Sequence, residues 1–159
     1  MIGKYRATAL YYYDSTIRTY LYQFKGCFDY ELYPVFLNFI ADYYHIHYHG
    51  YVIIPVPSYS GDDEIRGFNH VEWIFSLLKI KMMKVLIKTE HHKQANVSIK
   101  ERKDIVKYMK VKDNIDLTGQ KVLVVDDVYT TGNTMKTCIK LIEDLHPKKI
   151  EVLVLSMTT

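Results

Sequence analysis

The sequence predicts an α/β protein whose parallel sheet is covered on both faces, and three observations predict it. Short apolar, β-branched runs alternate with stretches of helical spacing along the chain. Each run is apolar throughout rather than at every second residue, the pattern of strands buried on both sides. The run "VLVVDD" ends in two adjacent acids and passes straight into a glycine-containing turn and a helix, the arrangement in which open α/β sheets place ligands. At 159 residues the chain is long enough for one domain with a substantial core.

The elements follow in order. In "STIRTYLYQF" either Asp14 or Ser15 caps a helix that carries Ile17, Tyr20, Leu21 and Phe24 on one face. "DYELYPVFLNFIADYY" repeats the spacing with Leu32, Val35, Phe36, Phe39, Ile40 and Tyr43, and Gly50 ends the unit. Residues 1–48 thus read as an added helical piece and residues 49–159 as the α/β core. "YVIIPVP" is the first predicted strand, closed by Pro55 and Pro57. "FNHVEWIFSLLK" is a helix with Phe68, Val71, Ile74, Phe75 and Leu78 inward, and "MKVLIKT" is a second strand of the sheet. "VSIKERKDIVKYM" is a basic helix or lid. "QKVLVVDD" is the third strand, a helix from Asn133 to His146 follows, and "KIEVLVLSM" is the last strand.

Composition excludes several classes. No apolar run reaches the ~20 residues of a membrane span, and no signal-peptide pattern opens the chain. Cys27 and Cys138 lie far apart, so no disulfide framework is expected and a reducing cytoplasm is the simplest home. The net charge of +3 is small. Residues 79–112, however, hold eleven Lys or Arg against three acids, a local +8 that suits a polyanion. Twelve of the fifteen tyrosines lie in the first 51 residues, which suits a half-buried interface or a stacking surface. His45, His47 and His49 would form a metal face if extended, but the stretch follows an aromatic helix and reads better as a surface loop.

The chemistry concentrates in "VLVVDDVYTTGNTM". A helix N-terminus offers unpaired N–H groups and partial positive charge, hence an anion site. Gly132 lets a backbone approach, and the hydroxyls of Thr130, Thr131 and Thr134, with Asn133, add donors. Asp126 and Asp127 are acceptors that repel phosphate and suit sugar hydroxyls or a divalent cation. A ribose 5-phosphate satisfies every part. A Walker B strand would need an upstream G-x-x-x-x-G-K-[ST] loop, and the chain has none. A phospho-receiver domain carries its acids near its start, whereas only 32 residues follow Asp127 here.

This motif resembles the phosphoribosyl-pyrophosphate (PRPP) motif of type I phosphoribosyltransferases. "IIPVPSYSGDDEIRGFNHVEWI" and "HHKQANVSIKERKD" further resemble the ComF family of competence-associated proteins, with its proline-ended strand, "RGFN" box and mobile Lys-Gln loop. The likeness spans roughly residues 8–159. It implies a phosphoribosyltransferase-type domain with an N-terminal helical hood that binds PRPP with Mg²⁺ and supports DNA uptake. Carried over residue by residue, Asp126 and Asp127 meet the ribose hydroxyls and Mg²⁺, and Thr130, Thr131, Gly132, Asn133 and Thr134 hold the 5-phosphate. Ser58, Arg66 and Lys93 face the pyrophosphate, with Gln94 and Arg102 beside them on the loop. The family usually opens with a four-cysteine zinc finger that this sequence does not supply, so it reads as a truncated or finger-less relative. Hypoxanthine-type transferases carry a carboxylate where Thr130 stands, which counts against that subtype. Whether the chain turns PRPP over, and on which acceptor, stays open. The other reading is a non-catalytic adaptor that senses PRPP or meets single-stranded DNA or a competence helicase.

Overall fold

Strand pairing defines the architecture of the computed structural model, which describes residues 1–58, 60–88 and 109–158. Four strands, β1 (Arg6–Tyr12), β2 (Tyr51–Pro55), β5 (Lys121–Tyr129) and β6 (Lys149–Met157), form one parallel sheet in the order β1-β6-β5-β2. The α/β class with a parallel sheet is therefore the observed one. β2, the inner part of β5 and nearly all of β6 are buried, as their unbroken apolar runs require.

Period-2 alternation sends successive side chains to opposite faces. Leu123 and Val125 join Ile53, Leu153 and Leu155 in one core. Above it lie the N-terminal helices α1 (Ser15–Leu21), α2 (Tyr33–Leu37) and α3 (Ala41–His47), together with α5 (His70–Ser76). Val122 and Val124 join Ile54, Val152 and Val154 in the other core, under α6 (Asn133–Glu143), whose Met135, Cys138, Ile139 and Ile142 point inward as predicted. Asp14 caps α1 by accepting from the Ile17 N–H at 2.9 Å, and Asn69 caps α5 by accepting from Glu72 at 3.0 Å.

Four expectations are corrected. The first residues are not all helical: Arg6–Tyr12 is an edge strand, hidden in the sequence because small Ala7 and Ala9 blur its pattern. "MKVLIKT" does not enter the main sheet as a full strand. The chain touches β2 in parallel only at Met82 opposite Ile53. It then turns away, so that β3 (Leu86–Lys88) pairs antiparallel with β4 (Met109–Val111) in a separate two-stranded ribbon. α6 stops at Glu143, three residues short of the predicted end. The histidine run is helical at His45 and His47, and His45 Nδ1 lies 2.7 Å from the Leu78 carbonyl, which ties α3 to the end of the α5 segment.

No helix among the described residues is long and apolar enough to cross a membrane. The hood packs through aromatic rings: Phe24 meets Phe36 and Phe68, while Tyr30 and Tyr33 meet Trp73 of α5. Of the clustered tyrosines, Tyr30 and Tyr33 thus form part of a seam between hood and core, while Tyr12, Tyr22 and Tyr43 are exposed.

Candidate functional site

β2 ends at Pro55, opposite Val125, while β5 runs on for four more residues. Beyond Val125 that flank of β5 has no neighbouring strand among the described residues, and the acids supply hydrogen bonds locally. Asp126 Oδ1 accepts from the Asp127 N–H at 2.9 Å, and Asp127 Oδ1 accepts from the Val128 N–H at 2.7 Å. The sequence suggested two acids side by side facing one ligand. Alternation instead turns them to opposite faces, Asp126 toward α6 and Asp127 toward the hood.

Their electrostatics diverge accordingly. Burial and the adjacent Asp127 charge push the Asp126 carboxyl well above the ordinary carboxylate range, although it accepts one backbone N–H. Burial would push Asp127 the same way, but the His70 hydrogen bond and the Lys25 charge outweigh it and hold Asp127 far below that range. Lys25 Nζ lies 2.5 Å from Asp127 Oδ2, and His70 Nε2 lies 3.2 Å from the same oxygen. Arg66 Nη1 lies 3.2 Å from His70 Nδ1. A guanidinium only donates, so His70 Nδ1 accepts and its proton sits on Nε2, where it donates to Asp127.

The network continues outward. Arg66 Nε–H donates to the Lys25 carbonyl at 3.1 Å, and Nη1 donates to Asp63 at 3.0 Å. The Ser58 hydroxyl donates to Asp63 at 2.6 Å, and Asn69 Nδ2 donates to both Ser58 and Asp63 at 2.7 and 2.8 Å. The "RGFN" box is thus a brace tying the loop after β2, α4 (Ser60–Arg66) and the start of α5 to Asp127. Ser58 and Arg66 both belong to it, with Arg66 turned inward. Lys93, Gln94 and Arg102 lie outside the described residues.

At the far side of the acids, Gly132 takes the left-handed conformation, φ +73°, immediately before α6. A Cβ there would collide with the Tyr129 hydroxyl as well as strain the backbone. Among the described residues no side chain caps α6, so its first-turn N–H groups have no intrahelical partner, and around them Thr131 and Asn133 are exposed and Thr134 is half-buried. The structure therefore brings the acids and the 130–134 turn together at one end of the sheet. Ser58 stands with the brace after β2, beside a cavity of about 470 Å³ that Pro57, Asn69, Lys84, Lys88, Lys110 and Lys112 also line. Neither the acids nor the turn line that cavity.

Sequence reasoning missed Lys25 and His70. His70 directly follows the "RGFN" box, which was a usable signal. Lys25 sits 102 residues from Asp127 in the chain, and nothing in its local pattern announced the contact.

Comparison with known proteins agrees with the α/β fold. A family model described as "Phosphoribosyl transferase domain" matches residues 67–157. The competence protein ComFC of Streptococcus pneumoniae (strain ATCC BAA-255 / R6) is 25% identical over 143 residues, which cover 90% of this chain and 64% of that protein. Competence protein F of Haemophilus influenzae is 31% identical over 109 residues, 63% of this chain and 47% of the relative. The chain therefore spans only about half to two thirds of these relatives. A solved purine phosphoribosyltransferase from Pyrococcus horikoshii is 23% identical, with a TM-score of 0.47 over 75% of this chain and 68% of its own. The chain belongs to the phosphoribosyl transferase domain family, with competence proteins of the ComF type among its relatives.

Proposed function

We propose that this protein binds phosphoribosyl pyrophosphate together with Mg²⁺ and serves DNA uptake in the cytoplasm of a competent cell. One observation carries the reading: two acids at a strand end lead directly, through a left-handed glycine, into an uncapped helix N-terminus. The N–H groups and hydroxyls of the 130–134 turn offer a seat for a 5-phosphate, and Asp127 accepts from the ribose hydroxyls.

The donor set also fits a hard cation in one specific way. Among the described residues no three His, Cys, Asp or Glu side chains gather as a metal cage. A single carboxylate suits a Mg²⁺ ion that takes most of its oxygens from the ligand and water, with Asp126 as the protein's share. When bound, the ion would neutralise charge on the pyrophosphate oxygens. The chain's own residues would fix the ribose and keep the 5-phosphate seated, and Ser58 and Lys93 would face the pyrophosphate. Arg66 would act through the brace.

Calorimetry with PRPP and Mg²⁺ tests this directly, with micromolar or tighter binding expected and absence of binding defeating it. Pyrophosphate release with candidate bases then separates a phosphoribosyltransferase from a PRPP-sensing module.

A second reading is favoured by the lysines around the cavity beside Ser58. There the basic ribbon meets single-stranded DNA or a helicase partner, and affinity falls with salt at a log–log slope of about −0.7 per phosphate contacted. Changing Lys88, Lys110 and Lys112 to Glu should lower both affinity and slope. Binding that ignores salt would dispose of it. Lys100, Lys103 and Lys107, which the sequence also offered for this role, lie outside the described residues.

A further inference from the structure

The hood reaches the acids through one ammonium. Lys25 stands in a π-helical turn, Tyr22–Gly26, directly after α1, and such turns recur at functional sites. Its backbone carbonyl is held by Arg66 and its Nζ by Asp127. An ionised carboxylate offers about four acceptor positions. At Asp127 three are filled by described residues: Oδ1 by the Val128 N–H, and Oδ2 by both Lys25 and His70. A sugar with two adjacent hydroxyls needs two positions, so one present donor has to leave.

The three donors are not equally free to go. The Val128 N–H is part of the strand backbone. His70 is buried, and its ring is held from behind by Arg66. The Lys25 side chain is 36% exposed, on a flexible stem that can carry its charge to water.

We propose that Lys25 is a specificity-determining residue of this site, a displaceable occupant of the seat that a sugar diol takes on Asp127. The proposal rests on the sugar-phosphate reading above. In the empty protein the ammonium stands in for the sugar hydroxyls. A ligand with the diol evicts it; a ligand that has only the phosphate leaves it in place. Lys25 therefore lowers the protein's preference for diol-bearing ligands, and on release it becomes a free cation at the rim of the hood.

The test compares methyl riboside 5-phosphate with its 2,3-dideoxy counterpart. Both carry the same phosphate, so any change in long-range attraction cancels in the ratio of their dissociation constants. In Lys25→Met the dissociation constant of the dideoxy ligand divided by that of the diol ligand should rise at least about tenfold over the unchanged protein, the size of one hydrogen bond to a charged group. An unchanged ratio, with both ligands still bound, overturns the role of Lys25 alone. Binding of neither ligand by the unchanged protein removes the sugar-phosphate reading and this inference with it. Because Lys25→Met could disturb the hood, amine labelling of the unchanged protein gives an independent measure. Labelling of Lys25 should rise several-fold with the diol ligand and stay level with the dideoxy one; equal labelling in both cases contradicts the proposal.

Discussion

Replacing Asp126 and Asp127 together by Asn removes the acceptor charge at the strand end while keeping its shape. We expect PRPP affinity to fall by at least tenfold, with thermal unfolding still cooperative; calorimetry beside a melting curve checks both. Single variants should differ, because Asp127→Asn also removes the negative charge that Lys25 and His70 share, whereas Asp126→Asn replaces a carboxyl already biased toward its neutral form. Gly132 makes a second test. Gly132→Val needs a left-handed backbone and displaces Tyr129, so stability should drop by about 1–2 kcal/mol from the backbone alone. Phosphate binding should weaken as well. In the double variant with Tyr129→Ala part of the stability should return, since the ring that collides is gone. The sequence made Asp126, Asp127 and Gly132 visible because carboxylates after an apolar run and a glycine before a helix violate local expectation. It did not make their states visible: one acid is held charged by Lys25 and His70 from two distant segments, the other pushed toward neutral by burial and the adjacent acid.

At the scale of elements, the loop after β2 and the start of α5 act as one unit. Asn69 caps α5 with its carbonyl oxygen and bonds Ser58 and Asp63 with its amide nitrogen. Asn69→Ala should cost about 1 kcal/mol from the cap alone. It should also loosen the Ser58 loop, read as faster amide exchange over residues 56–66 with α6 unaffected. Uniform protection across both regions would count against the brace. β5, α6 and β6 were legible because their apolar spacing is regular and long. β1 and the β3–β4 ribbon were not, since three-residue strands and alanine-rich edges carry little periodicity. Their placement depends on which partner is available: β6 leaves one edge open for β1, and the chain after Met82 leaves β2.

For the whole molecule, pH is the natural variable. Asp127 is depressed in the folded protein, so the stability it contributes is present above its unfolded value near ~3.9 and drains away as pH falls below that. Acid unfolding should therefore steepen below about pH 4, and Asp127→Asn should flatten that limb in urea titrations taken at several pH values. Asp126 runs in the opposite sense. Its raised value favours the neutral, protonated carboxyl, and the stability that form contributes is present below the unfolded value near ~3.9 and lost as pH climbs through the raised one. A ligand that needs the carboxylate must expel that proton. PRPP·Mg²⁺ binding should release protons and tighten with pH until Asp126 ionises unaided, which calorimetry in buffers of different ionisation enthalpy would show. Proton uptake instead would mean that Asp126 is not the group the ligand engages.

The seam between hood and core has an optical consequence. The chain has a single tryptophan, and Trp73 sits on α5 one turn from His70, with its ring against Tyr30, Tyr33 and Phe68. Any shift of the hood relative to α5 changes the surroundings of the only indole, while events confined to the α6 side of the sheet leave them alone. Intrinsic fluorescence therefore separates the two faces without a label: a spectral change on ligand addition reports on the Lys25 and His70 side, and a silent spectrum with measurable heat reports on the other.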